Sequence, residues 1–407
     1  MILPPFLWSL WSLCLEQPLG PTLASIIAPM ADNVDWKWQV GEIVSALKQG
    51  LKSKAGDVLA AVDGDDSIEI LAYRAYGNAS RAHIYGRVVE QVNVGLSTDT
   101  DSTLRNLLNT YRRADSDPLA FARVKVECGG SVIDCKSNDE GFFGGWVDAA
   151  KPMSGEWAKY DVTLVPEDQH VKASGELLIP PDTARFGVIS DIDDTVIQSR
   201  VSNFLQAART VMLGNARTRL PFPGVAAFYR ALRNGASGDE KNPIFYVSSS
   251  PWNIYDVITE FMDIQKIPKG PLVLRDWDIN LSALSGARHF DHKGVAIRNV
   301  MGLYPSMKFI LIGDTSQHDP EIYRQIVGEF PERVSCIYIR DVNKNAERKA
   351  SVAKLASECL NAGSTLVLAE DTLGAAKHAV EQGWIREESL PDIHEEKKAD
   401  ETLALRN

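Results

Sequence analysis

Three apolar runs, each closing on a tight polar cluster, constrain most strongly what this chain can fold into. The first, Val188-Ile189-Ser190, closes on Asp191-Ile192-Asp193-Asp194-Thr195. The second, Ile244-Phe245-Tyr246-Val247, closes on Ser248-Ser249-Ser250-Pro251-Trp252. The third, Phe309-Ile310-Leu311-Ile312, closes on Gly313-Asp314-Thr315-Ser316-Gln317-His318-Asp319-Pro320, and Lys293 lies between the second and third. Strands buried on both faces of a parallel sheet read as continuous apolar runs of this kind. Ligand sites in doubly wound sheets form outside the carboxyl ends of the strands. From Arg185 to about Gly383 such runs alternate with helical stretches, which predicts a parallel sheet with helices on both faces. Strands are expected at 185–190, 244–248, 308–312, 334–339 and 365–369.

Acid at a strand end is costly, because a carboxylate beside a sheet core loses hydration. Two carboxylates a few Å apart repel by about 4 kcal/mol at an effective dielectric of 20. A bound divalent cation is the usual compensator. Residues i and i+2 of an extended chain project to the same side, so Asp191 and Asp193 are expected to share a pocket while Ile192 points into the core. One carboxylate can then attack and the other can shuttle a proton. A calcium loop is excluded, because its sixth and twelfth positions require Gly and Glu, and here they are Val196 and Ser202.

At 407 residues the chain has room for two or three domains. Residues 1–60 read as an apolar leader and a helical segment, in which Val40, Ile43, Val44, Leu47 and Leu51 form one stripe. Residues 61–181 read as a small β-sandwich-like domain, with short runs near 68–73, 83–89, 122–126, 144–147 and 160–164. It shows no catalytic cluster and reads as a scaffold or docking module ending at Pro180-Pro181. Residues 182–385 form the α/β domain, and 386–407, with Glu395-Glu396-Lys397-Lys398, read as a charged disordered tail. A net charge of −11 without a Lys/Arg block argues against nucleic-acid binding. Five scattered cysteines without Cys-x-x-Cys indicate neither a disulfide framework nor a zinc site and suit a reducing compartment. The apolar stretch from Ile2 to Leu15 has no preceding Lys or Arg, which argues against a secretory signal. A cytoplasmic location is therefore expected.

The ordered set Asp191/Asp193, Ser248, Lys293, Asp314/Asp319 resembles the motifs of the haloacid-dehalogenase phosphatase superfamily. Within it, five phrases resemble the catalytic domain of actin-patch-type, magnesium-dependent phosphatidate phosphatases, relatives of the lipins. They are Asp191-Ile192-Asp193-Asp194-Thr195-Val196, Pro221-Phe222-Pro223-Gly224-Val225, Tyr246 to Trp252, Gly270-Pro271-Leu272-Val273-Leu274-Arg275, and Gly313-Asp314 through Asp319-Pro320-Glu321-Ile322-Tyr323. The resemblance spans roughly 183 to 345 and departs from the family at Gln198-Ser199 and Thr315-Ser316. It implies a Rossmann-like doubly wound fold of the haloacid-dehalogenase type and hydrolysis of phosphatidate to diacylglycerol and phosphate. It also implies a role for each matching residue. Asp191 attacks phosphorus and forms an aspartyl-phosphate, and Asp193 first protonates the leaving alkoxide and then deprotonates water. Mg²⁺ sits on Asp191, the backbone carbonyl of Asp193 and Asp314, while Asp319 orients that shell. Ser248 donates to a phosphoryl oxygen, Lys293 neutralises developing charge and Thr195 holds the loop in shape.

Two other functions compete: hydrolysis of a small soluble phosphomonoester by the same chemistry, and a non-catalytic membrane or cytoskeletal adaptor. The presence of Asp191 weighs against the adaptor. A soluble substrate calls for a sizeable cap that excludes water, whereas the insert from Gln198 to Asn242 is short. Within it Phe204, Leu205, Ala208, Val211 and Met212 follow amphipathic helical spacing. The insert holds seven basic residues, Arg209, Arg217 and Arg219 among them, against two acids. Phe204, Leu205 and these arginines are therefore candidates for contact with an anionic membrane surface or lipid headgroup.

Overall fold

The computed structural model describes residues 67–91, 117–165, 171–197, 222–275, 292–342 and 345–405. The leader, the helix expected over 36–54 and the segment carrying Phe204, Leu205, Arg209, Arg217 and Arg219 lie outside them.

Six parallel strands form the sheet, five of them where the apolar runs predict strands and β12 in addition: β10 (Phe186–Ser190), β11 (Ile244–Pro251), β12 (Leu272–Arg275), β13 (Lys308–Asp314), β14 (Val334–Arg340) and β15 (Thr365–Ala369). Their order across the sheet is β12-β11-β10-β13-β14-β15, so the first and third motifs leave neighbouring central strands. Alternate residues feed two separate cores. Val188, Tyr246, Ile310 and Cys336 face one, Ile189, Phe245, Leu311 and Ile337 the other, which is why apolar residues run consecutively through the middle of these strands. The first core is covered by helices α1 (Val225–Asn234), α2 (Tyr255–Ile264), α6 (Thr372–Glu381) and α7 (Ser389–Leu405). The second is covered by α3 (His292–Leu303), α4 (Asp319–Glu329) and α5 (Ala346–Asn361). The molecule is thus α/β with a parallel sheet layered between helices.

The preceding region forms one nine-stranded, mainly antiparallel sheet. Its strands are β1 (Ser67–Ala72), β2 (Ala75–Gly77), β3 (Arg81–Gln91), β4 (Asp117–Pro118), β5 (Arg123–Cys128), β6 (Ser131–Lys136), β7 (Phe142–Asp148), β8 (Trp157–Val165) and β9 (Lys172–Leu178). Its own core joins Ile70, Ile84 and Val88 to Val124, Val126, Val162 and Leu177. Both cores of the α/β domain also accept side chains from this region: Leu71, Tyr73 and Val89 on one face, Tyr76 and Leu178 on the other. The two parts therefore share buried surface.

The tail from Glu387, expected to be disordered, is instead helix α7 over Ser389–Leu405. Its charges do not simply face water. Glu396 accepts from the backbone N–H of Ala227 (2.7 Å) and Asp400 from that of Gly224 (2.9 Å), so they satisfy first-turn donors of α1, which has no acid or side-chain cap of its own. Arg230 pairs with Glu396, Lys397 with Asp371, and Ile393 is fully buried. Composition alone reads such a segment as solvated, because the partner that consumes its charge lies far away in sequence.

Candidate active site

The three polar clusters meet at the carboxyl edge of the sheet. Asp191 follows β10, and its backbone N–H donates to the Ile312 carbonyl at 2.9 Å, which ties the first motif to β13. Ser190 donates to the Asp191 carbonyl (2.6 Å) and meets the Tyr229 hydroxyl of α1 at 2.7 Å. Asp194 turns the chain through a positive φ of 56°, which lets Val196 and Ile197 bond back to the Ile192 carbonyl. Asp191 and Asp193, two residues apart, end in different surroundings.

Asp191 lies with Asp314 and Asp319, all three buried, with carboxylate oxygens within 4.8 Å of one another. Lys293, at the start of α3, stands between two of them, 2.8 Å from Asp191 Oδ1 and 2.7 Å from Asp319 Oδ1, and also donates to Gln317 Oε1 at 3.0 Å. Thr195 Oγ1 lies 3.5 Å from Asp191 and 3.4 Å from Asp314, bridging first and third motifs. Burial, then Asp319, pushes the Asp191 carboxyl well above its ordinary range, with Lys293 opposing. Burial, then Asp319, moves Asp314 up to about 6. Burial alone would lower Lys293, but Asp191 and Asp319 outweigh it and hold the ammonium charged.

Asp193 turns the other way. Ser248 donates to its Oδ2 at 2.7 Å, Ser250 to the same oxygen at 3.2 Å, and the Ser250 N–H donates to Ser248 Oγ at 2.9 Å. Burial raises Asp193, and these serines act against it. Asp191, Asp193, Thr195, Ser248, Lys293, Asp314 and Asp319 are thus brought into one site. The carboxylates of Asp191, Asp314 and Asp319 form the cluster suited to a cation, and the Asp193 carboxylate stands apart from it. Phe204, Leu205, Arg209, Arg217 and Arg219 lie outside the described residues.

The cluster fits a hard divalent cation. Each pair of ionised carboxylates at about 5 Å would repel by roughly 3 kcal/mol at an effective dielectric of 20, and one lysine cannot neutralise three. Asp191 Oδ1 is buried with the Lys293 ammonium at 2.8 Å and no further hydrogen-bond partner among the described residues, which leaves its second lone pair for an ion. Oxygen-only donors of this kind suit such an ion.

Three contributors escape sequence reasoning. Gly313 allows Asp319 to approach: a Cβ there would lie 2.5 Å from Asp319 Oδ2 and 2.7 Å from its Cβ. Gly313→Ala should displace Asp319 and weaken divalent-ion affinity about tenfold or more, the loss typical of disturbing a residue that orients metal ligands. Calorimetric titration with Mg²⁺ checks this, and unchanged affinity in the folded variant would refute it. Arg348, on α5, clamps the loop after Asp314. It donates to the carbonyls of Thr315 (3.0 Å) and Gln317 (2.7 Å) and pairs with Glu321 on α4. Arg348→Ala should cost about 1–3 kcal/mol of stability by leaving these acceptors unpaired. Denaturant unfolding measures that loss, and Arg348→Lys should recover only part of it, because an ammonium cannot reproduce the fork. Ser250, third in its cluster, reaches Asp193 as well as Ser248 does. Gly313 was visible beside Asp314, but nothing local marks Arg348.

Residues 186–341 match the family described as the catalytic domain of phosphatidate phosphatase APP1. Over 187 residues the chain is 29% identical to phosphatidate phosphatase APP1 of Saccharomyces cerevisiae, covering 45% of this chain and 31% of that protein. Over 181 residues it is 30% identical to an uncharacterized protein of Schizosaccharomyces pombe, covering 43% of this chain and 28% of that one. The chain thus spans under a third of the length of these curated relatives. Among solved structures, a carbohydrate acetylesterase from Xanthomonas citri overlays with a TM-score of only 0.23 at 10% identity, over 73% of this chain and 75% of that one.

Proposed function

We propose, from the premise that residues 186–341 are a catalytic domain of the phosphatidate phosphatase APP1 type, that this chain hydrolyses phosphatidate to diacylglycerol and phosphate with Mg²⁺ as cofactor. The observation that carries the reading is the divergence of two neighbouring carboxylates: Asp191 beside Lys293, Asp314 and Asp319, Asp193 beside Ser248 and Ser250. Groups two residues apart with separate partners can take separate roles in one reaction.

In this mechanism an Asp191 oxygen attacks phosphorus, the P–O bond to diacylglycerol breaks, and Asp193 passes its proton to the leaving alkoxide. Water then attacks the aspartyl-phosphate, Asp193 takes the water's proton, and release of phosphate regenerates Asp191. The raised carboxyl of Asp193 suits it to start protonated. Lys293 offsets charge on the transferring group, and Ser248 shifts its donation from Asp193 to a phosphoryl oxygen. Asp191 and Asp314, with the carbonyl of Asp193, would hold Mg²⁺, which offsets negative charge when bound, and Asp319 would orient them.

The sheet order, with the first motif leaving a central strand, supports a fold of the haloacid-dehalogenase type. The shared core of the nine-stranded sheet, drawn from β1, β3 and β7 and from β5, β8 and β9, supports a two-layered sandwich. Among the described residues no helix is long and apolar enough to cross a membrane. A cytoplasmic protein meeting its lipid at the surface through Phe204, Leu205, Arg209, Arg217 and Arg219 fits this reading, and nucleic acid has no place in it.

Purified protein should be assayed on phosphatidate in mixed micelles beside a panel of soluble phosphate esters. Preference for phosphatidate is expected. A soluble ester hydrolysed far faster would give the substrate to the competing class, and hydrolysis of neither would leave the adaptor.

A further inference from the structure

The second motif runs directly into an aromatic stack supplied by the other domain. Between Val247 and Pro251, β11 carries two more residues than β12, whose Val273 and Arg275 they face. Such a bulge re-aims side chains beside a site, and here Ser248 and Ser250 turn onto Asp193. Bulged residues have lost regular ladder pairing, so something else must hold them. The buried ring of Trp252, immediately after the bulge, stacks on Tyr73 at 4.9 Å and 15° and on Tyr255 at 5.9 Å and 22°. It also meets Tyr85 at 5.3 Å and Phe142 at 6.4 Å.

Tyr73, Tyr85 and Phe142 all belong to the β-rich domain. Tyr73 is itself fixed: its N–H donates to the Tyr85 carbonyl at 3.1 Å, and its carbonyl accepts from the Tyr160 hydroxyl at 2.5 Å. The Arg74 N–H donates to the Tyr255 hydroxyl at 2.9 Å, so the same turn grips both ends of the stack. Elsewhere polar contacts hold the boundary, as where Glu156 pairs with Arg233 and Lys241.

We propose that the β-rich domain is part of the catalytic unit: Tyr73 and Tyr85 are positioning residues that act through Trp252 to set the Ser248–Ser250 bulge against Asp193. The kinetic side of this role rests on the phosphatase reading, and the structural side rests on geometry alone. A ring that only contributes buried area would affect stability; a ring that sets the bulge must also affect turnover.

The test compares Tyr73→Leu, Tyr73→Phe and Glu156→Gln in the full chain. With saturating Mg²⁺ and p-nitrophenyl phosphate, Tyr73→Leu should lower kcat about tenfold or more while KM moves less than about threefold, the signature of a group acting on the chemical step rather than on binding. Tyr73→Phe, which keeps the ring, should stay near wild type. Glu156→Gln, which loosens the same boundary away from the bulge, should lower Tm without lowering kcat. Hydrogen exchange of the 248–252 amides, read without substrate, should speed up in Tyr73→Leu and not in Glu156→Gln. Unchanged kcat in folded Tyr73→Leu overturns the proposal, and so do equal kcat losses in Tyr73→Leu and Glu156→Gln. Should Tyr73→Leu fail to fold, Trp252→Phe takes its place, with the same split expected and an unchanged kcat overturning. If wild type turns over no phosphate ester, the phosphatase reading falls, and the exchange experiment alone decides: equal rates in the variant and wild type overturn the structural role.

Discussion

Replacing Asp191 with Asn should lower hydrolysis at least a thousandfold, about 4 kcal/mol of barrier, while the protein melts at the same temperature or higher. The amide keeps the shape of the side chain and removes the charge of the proposed nucleophile. The stability half follows from the surroundings. Burial and Asp319 disfavour the Asp191 carboxylate more than Lys293 favours it, so a neutral side chain relieves an unfavourable charge, and Lys293 keeps its ion pair with Asp319. Loss of activity accompanied by a collapse in Tm would mean that Asp191 is structural. Persistent turnover in a homogeneous Asp191→Asn preparation would remove it as nucleophile.

Chelation by excess EDTA should abolish hydrolysis, and added Mg²⁺ should restore it. The same titration has a thermal counterpart. Without a cation, Asp314 binds its proton up to about pH 6 in the folded state, whereas an unperturbed aspartate releases it near 3.9. A folded pKa raised in this way contributes stability that is present below the unfolded value and lost as pH rises through the folded one. The loss falls between about pH 4 and 6 and amounts to roughly 3 kcal/mol for a two-unit shift. Mg²⁺ requires the deprotonated ligand and so stabilises most where the apo protein is weakest. The gap in Tm between protein in Mg²⁺ and in EDTA should therefore widen by several °C from pH 4 to pH 7, at roughly 2–4 °C per kcal/mol. A gap that stays flat or narrows would separate Asp314 from cation binding.

How much of this was legible in the sequence depended on where each residue's partner lies. The apolar runs place β15 at its observed bounds, and β10, β13 and β14 to within two residues, because burial on both faces makes consecutive central positions apolar and polar residues mark the end. β12 appeared only inside a family phrase, because four residues carry no period of their own. β6 was missed because its inward positions are only partly buried, so Ser131–Lys136 shows little apolar contrast. Asp191, Asp193, Ser248 and Asp314 were legible because strand ends place them at the site. Arg348 and Tyr73 were not, because their value lies in Thr315, Gln317 and Trp252, side chains or carbonyls that only the folded chain brings to them.

The capping of α1 by α7 also sets an order in time. Ala227 and Gly224 wait for Glu396 and Asp400, 169 and 176 residues further along. At about 5–20 residues per second of synthesis, that is an interval of roughly 10–30 s in which the helix start has no acid facing it. The helix concerned carries Tyr229, which meets Ser190 and through it the carbonyl of Asp191. On the ribosome the Asp191 loop is therefore made early and braced late, because the helix that carries Tyr229 is capped only when α7 arrives.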